Sequence, residues 1–488
     1  MIRRVSLLTG VSIALFGLTA PAAAETLRDA LIKAYTHNPI LTGARAGQRA
    51  NDENVPIARA DGLPSAQASV NYDEYLSNTA VVSGGGLTAN NPARALTGNV
   101  QLAVPIYQGG AVRNAVRAAR TRVEAGVEAL RATEASVFSQ TVAAYMDVIR
   151  DRAIVGLNRE NVKVLEVNLQ AAKDRFEVGD LTRTDVAQSE ARLAIAQSDL
   201  RGAQARLIAS RENYIKLVGD VPSDLEPPPP LPDLPADPDS AVDVAIAENP
   251  DLLAANKERQ ASGYDINAAE SSWLPRVSAV ASGGYNDYLN SIPGGGRTID
   301  TKSATVGVSA TIPIFQGGRP SALVRQAQAR SGQAIENAIA VERDVVAQTR
   351  AAFASWRSSL EVIESSQVAV SANTLSLEGV RAENSVGNRT ILDILNAEQE
   401  LLNAQVQLVS ARRDAYVAGF ALLAAMGRAE ARDLALDGGT ALYDPTANYR
   451  RVSHAIWDWD SGKTPQPVAT RTVDTPSQNP ETAPTPAK

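Results

Sequence analysis

The sequence contains no cysteine. That excludes disulfides, thiolate metal sites, a cysteine nucleophile and a lipidated N-terminal cysteine. Histidine is nearly absent: His37 and His454 are too few for a histidine-rich metal site. Aromatic residues make up 5% of a chain that is 44% hydrophobic, so apolar packing must rest on Ala, Val, Leu and Ile. Such side chains suit helix seams better than a bulky globular core. Basic residues are not in excess; the formal net charge is −7, which gives a nucleic-acid partner no electrostatic support. Long apolar runs are missing after the N-terminus. Residues 417–427 come nearest, at about half the length of a membrane-spanning helix. With no nucleophile motif, phosphate loop or metal-ligand spacing, neither an enzyme, a cofactor nor a metal is expected.

The N-terminus reads as an export signal over residues 1–24. Arg3 and Arg4 form a basic region, residues 5–19 an apolar run, and Ala22-Ala23-Ala24 a small-residue cleavage site. The mature chain is expected to begin at Glu25 and to leave the cytoplasm.

What is present is a tandem duplication. Val104-Pro105-Ile106-Tyr107-Gln108-Gly109-Gly110 returns as Ile312-Pro313-Ile314-Phe315-Gln316-Gly317-Gly318. Asn38-Pro39 answers Asn249-Pro250, and Leu63-Pro64 answers Leu274-Pro275. Val178-Gly179-Asp180, with Thr182, Asp185 and Glu190, answers Val386-Gly387-Asn388, with Thr390, Asp393 and Glu398. The repeats are placed at 25–220 and 240–428, joined by a Pro-rich linker at 221–239 that favours an extended spacer. A mixed segment at 429–461 follows, in which Tyr443, Tyr449, Trp457 and Trp459 are expected to pack. The Pro-, Thr- and Ala-rich tail at 462–488 is expected to be disordered.

Within each repeat the hydrophobic period changes once. Apolar Ala66, Ala68, Val70 and Tyr72 alternate with polar Gln67, Ser69, Asn71 and Asp73, which marks a strand with one greasy face. The same pattern places strands at about 65–75, 96–106, 276–288 and 302–314. Each second strand ends at the duplicated corner, where Pro105 or Pro313 costs a ladder donor and the pairs Gly109-Gly110 and Gly317-Gly318 permit positive φ. Beyond the corner no proline occurs between Gly109 and Pro222. Long helices are expected at about 110–178 and 319–386, with returning helices at about 183–218 and 390–427. A helix of the first length runs on the order of 100 Å. Two such helices joined by a tight glycine turn form an antiparallel hairpin, which buries its stripes only against neighbours in a coiled-coil-like array.

Strands of this length cross a bilayer when tilted. Their alternation, and tyrosines near their ends, match outer-membrane strands. Four strands cannot close a barrel, and open edges are not tolerated in lipid, so several chains would have to share one. At this point the chain resembles the TolC-like outer-membrane factors, the exit ducts of efflux pumps and type I secretion systems. The duplicated Pro-x-Tyr/Phe-x-Gly-Gly corner and Val386-Gly387-Asn388-Arg389-Thr390-Ile391-Leu392-Asp393 carry the resemblance, which spans roughly 26–427. It implies a mainly α protein with a membrane β-barrel: a homotrimer with a twelve-stranded barrel in outer-membrane lipid and an α-helical periplasmic tunnel. The implied duct is passive. It docks on a periplasmic adaptor (membrane fusion) protein and an inner-membrane transporter of the ABC, RND or MFS class, which supplies the energy.

The resemblance also implies a gate at the hairpin tips. Asp393, once per chain, would form a carboxylate ring that attracts cations, with mutual repulsion raising its affinity for protons. Arg389 would pair with Thr184 and Asp185 of the first repeat's turn. Two positions depart from the family pattern: a second acidic position is Asn396, and a bridging tyrosine is replaced by Asn384. The competing reading is an exported coiled-coil structural or adhesin-like protein that spans no membrane.

Overall fold

The computed structural model describes residues 24–76, 92–232, 234–291, 300–436 and 442–479. Most of the expected export signal, the triple-glycine stretches at 84–86 and 294–296 and the end of the tail lie outside them. The first repeat runs α1 (Leu27–His37), α2 (Pro39–Asp52), α3 (Asn54–Ala60), β1 (Ser65–Glu74), β2 (Arg94–Tyr107), α4 (Ala111–Glu177) and α5 (Arg183–Val218). The second runs α6 (Pro238–Glu248), α7 (Pro250–Glu270), β3 (Arg276–Asp287), β4 (Thr301–Thr311), α8 (Arg319–Ser385) and α9 (Ile391–Ala425). A short α10 (Thr446–Val452) follows.

The duplicated Asn-Pro is a duplicated joint. Asn38 Oδ1 accepts from the amides of Ile40 (2.9 Å) and Leu41 (3.4 Å), capping α2, while Pro39 occupies the first helical position, where a missing N–H is harmless. Its Nδ2 donates to the Leu217 carbonyl at the end of α5 (2.9 Å). Asn249 caps α7 in the same way and donates to the Ala425 carbonyl at the end of α9 (2.9 Å). One side chain thus starts a helix and ties it to its own repeat's hairpin. Around these joints lies the main core, built on Phe138, Tyr145, Tyr214 and Phe420. The Pro-rich linker is pinned to it. Glu25 N donates to Asp224 O (2.8 Å) and Glu226 N to Glu25 O (3.1 Å).

The four strands form one antiparallel sheet in the order β1-β2-β3-β4, so the two repeats meet at the β2–β3 pair. Register puts Val70 opposite Gly98, Val100 opposite Gly283, and Ala281 opposite Val306. Cross-strand partners share a face, so the apolar residues of all four strands form one continuous surface. Gln67, Gln101, Ser282 and Thr305 share the other. There Gln67 bonds Gln101 (3.3 Å) and Ser282 bonds Thr305 (3.1 Å). Pro105 falls at a register shift, a place where a missing donor costs little. Among the described residues, strands β1 and β4 are edges without partners. Among the described residues, no helix is long and apolar enough to cross a membrane.

Each corner turns through two left-handed glycines, Gly109 and Gly110 (φ +63° and +85°) and Gly317 and Gly318 (φ +58° and +82°). Their surroundings differ. A Cβ on Gly109 would lie 2.7 Å from Leu274 Cβ and 3.0 Å from the Ser271 carbonyl, whereas one on Gly317 would meet nothing. The first corner packs on the turn before β3; the second is open. Likewise α4 and α8 are each 67 residues long, but α8 leaves Ile335, Ile339, Leu360 and Leu375 exposed.

Beyond α9, Tyr443 and Tyr449 pack as expected, the first beside Leu41 and the second beside Val55 and Val123. Trp457 and Trp459 do not: they are 74% and 85% exposed, because no element among the described residues faces them past α10. Residues 462–479 take no helix or strand and run back along α5. Thr470 Oγ1 lies 3.4 Å from the Gly219 carbonyl, and Gln478 N donates to Glu212 Oε1 (3.4 Å).

Candidate gate at the hairpin tips

Both tips are built by the same local rules. After α4, Gly179 adopts φ +85°, its N–H donates to Phe176 O (3.0 Å), and Asp180 N donates to Arg175 O (2.9 Å). After α8, Gly387 adopts φ +83°, with Gly387 N on Asn384 O (3.0 Å) and Asn388 N on Glu383 O (2.9 Å). These paired bonds satisfy the last carbonyls and demand a left-handed residue, hence glycine. The chain then starts the next helix with a capping box. Thr182 N and Oγ1 donate to Asp185 Oδ2 (2.9 and 2.7 Å), and Thr390 N and Oγ1 donate to Asp393 Oδ2 (2.9 and 2.8 Å).

The boxes set the acidity of both carboxylates. The Thr182 hydroxyl and amide hold Asp185 below the usual carboxylate range; the Thr390 amide and hydroxyl do the same for Asp393, helped by Arg389. Mutual repulsion in a ring, expected to raise the proton affinity of Asp393, therefore meets an opposing local force. A carboxylate whose pKa is lowered on folding stabilises its helix start at neutral pH and loses that contribution as pH falls through the lowered value. The starts of α5 and α9 should keep their amide-exchange protection on acidification until below the range where exposed carboxylates titrate. Earlier loss at Asp393 alone would show ring repulsion winning.

Arg389 does not reach Thr184 or Asp185 within the chain. Its Nε donates to Glu383 Oε2 (2.7 Å), across its own turn. Asp185 is occupied by Thr182, and Thr184 is exposed on the first turn of α5. Asn384 Nδ2 donates to the Arg389 carbonyl (2.7 Å), bracing the same turn. Asn396 Oδ1 accepts from Arg192 Nη2 (2.7 Å), which links α9 to α5.

One part of the tip escaped the reading of the residues. The Glu398 side chain, on α9 and 5% exposed, accepts from Asn168 Nδ2 of α4 (3.1 and 3.0 Å to its two oxygens) and from Arg381 Nη2 of α8 (2.9 Å). Its repeat equivalent, Glu190, is exposed on α5. A signal was available: Ile391, Ile394, Leu395, Glu398 and Leu402 share one helical stripe, and a carboxylate on an apolar stripe needs buried partners. Beside it Leu395 packs with Val162, Leu165 and Ala196, so the lower parts of both hairpins share one small core. Among the described residues no group of His, Asp or Glu is arranged to hold a metal.

One family model, described as the outer membrane efflux protein, matches residues 30–220 and again residues 241–428. The chain belongs to that family. The two matches stop on either side of the Pro-rich linker, so the duplicated unit is the family's own unit. The chain is 38% identical over 441 residues to the outer membrane efflux protein BepC of Brucella suis, covering 89% of this chain and 92% of that one. It is 26% identical over 489 residues to the outer membrane protein TolC of Escherichia coli, covering 95% of each. Among solved structures, the CmeC outer membrane channel of Campylobacter jejuni superposes with a TM-score of 0.71 at 18% identity, over 88% of this chain and 89% of that one. Of the two functions the sequence left open, membership selects the exit duct over the structural fibre. This outer membrane efflux protein carries its sheet in the outer membrane and its helical hairpins in the periplasm.

Proposed function

We propose that three copies of the chain close a twelve-stranded barrel above a helical tunnel, and that the hairpin tips gate it. The open sheet carries this reading. A sheet with one continuous apolar face and two unpaired edges, β1 and β4, cannot stand in lipid alone, and joining β4 of one copy to β1 of the next removes every edge. The open Gly317-Gly318 corner and the exposed apolar residues of α8 support it, since in a ring the second repeat would meet the next copy's first repeat. A periplasmic adaptor and an inner-membrane transporter of the ABC, RND or MFS class would dock at the tips and supply energy. Asp393 would line the constriction, and Arg389, Glu383 and Asn384 would keep its turn closed.

Planar-bilayer conductance tests this. The purified protein should show a small, cation-preferring conductance, and Arg389→Ser should raise it several-fold. A large conductance indifferent to the substitution would leave the pore and remove the gate. Silence in both would remove the duct.

A further inference from the structure

The C-terminal segment climbs toward the membrane beside α2 and α3. Asn448 Nδ2 donates to Asp52 Oδ2 (2.8 Å), Tyr449 packs on Val55, and the Ser453 carbonyl accepts from Arg59 Nη1 (3.3 Å). Contacts therefore advance along α2 and α3 as the segment advances. One residue after Arg59 α3 ends; Asp61 O accepts from Gln108 Nε2 of the strand–helix corner (2.9 Å), and β1 begins at Ser65. By Ser453 the segment is level with the last turn of α3, which leads into the end of the sheet where β1 begins. It then turns, with Asp460 N on Trp457 O (3.4 Å), and returns to Gly219 and Glu212.

The apex of this excursion is Ile456-Trp457-Asp458-Trp459. Ile456 is 69% exposed, and both tryptophans are more so. Phe315 and Tyr107, at the same end of the sheet, are exposed too. We propose that Ile456, Trp457 and Trp459 dock into the periplasmic leaflet of the outer membrane, as an interfacial anchor outside the barrel. This rests on the outer-membrane placement of the sheet. The chemistry fits phospholipid. Indole rings favour the headgroup level, where the ring is apolar and its N–H is met by water or ester oxygens. Asp458 and Asp460 limit the depth, because carboxylates do not enter hydrocarbon. The anchor continues the lipid-facing surface already formed by the sheet.

The test compares tryptophan emission of the full chain in phosphatidylethanolamine–phosphatidylglycerol vesicles with and without brominated acyl chains. The expected result is quenching of the native protein and clearly weaker quenching of Trp457→Phe/Trp459→Phe. Both positions are exposed, so the variant should fold. Adding Val306→Trp, on the apolar face of β4, to that variant reports the barrel independently. An unchanged quenched fraction with Val306→Trp quenched would overturn the anchor and keep the barrel. An unquenched Val306→Trp would overturn both. Protection of Trp457 and Trp459 from aqueous iodide without bromolipid quenching would assign the site to a neighbouring copy, and would also overturn the proposal.

Discussion

Glu398→Ala should loosen the hairpin tips and raise amide exchange across the start of α9 by roughly 30-fold, the equivalent of about 2 kcal/mol. The carboxylate joins three helices, α4 through Asn168, α8 through Arg381 and α9 by its own position. Removing one member of a buried ion pair costs about 3–5 kcal/mol when the other is stranded. Arg381 is half exposed and can return to water, which lowers the expected cost. Glu398→Gln keeps an acceptor for both donors, so its loss should be nearer ~1 kcal/mol. Because these helices carry the proposed gate, the alanine variant should also conduct more than the native protein. Unchanged exchange at Ile391–Leu402 would show that the cluster fills space without holding the tips together.

Tyr145→Ala should destabilise the joint between the two repeats by about 3–5 kcal/mol, the range for emptying a large aromatic site. The ring is fully buried, 6.4 Å from the Tyr214 ring. Its hydroxyl stands 2.9 Å from the Glu25 carbonyl and 2.6 Å from the Glu226 carbonyl and donates to one at a time. Burial pushes the phenol's pKa up, so it remains a donor across the physiological range. Tyr145→Phe keeps the packing and loses the donor, at about 1–2 kcal/mol. Amide exchange separates the two. The phenylalanine variant should expose only the Glu226 amide and its neighbours in the linker, whereas alanine should open the surrounding core. Equal effects of the two substitutions would mean that the hydroxyl, and not the ring, holds the joint.

Much of the fold was legible in the residues. The helix expected over 110–178 runs Ala111–Glu177, and the one expected over 319–386 runs Arg319–Ser385. Their ends are written locally, by glycine at each turn and Thr-x-x-Asp at each restart. For the proposed gate the residues gave position alone. Asp185, Asp393, Arg389 and Asn384 all lie at the tips. The partners of Arg389 and Asn396 were not legible, because Glu383 and Arg192 each won a bond that sequence order does not rank. Trp457 and Trp459 show the converse error: large aromatic residues suggest a core, and here nothing among the described residues covers them.

By itself the sequence determined the duplication, the element boundaries, the caps and the greasy face of each strand. Those follow from φ/ψ preference, hydrogen bonds within one turn, and side-chain period, which act over a few residues and so repeat when the residues repeat. Only the tertiary structure decided which copies of the repeated residues are used. Gly109 is packed against Leu274 while Gly317 is open, Glu398 is buried in a three-helix cluster while Glu190 faces out, and β2 pairs with β3 across the repeats. Two related units in one chain do not have identical neighbours. Burial and charge partners depend on what lies alongside, and that is set by contacts between residues far apart in the sequence.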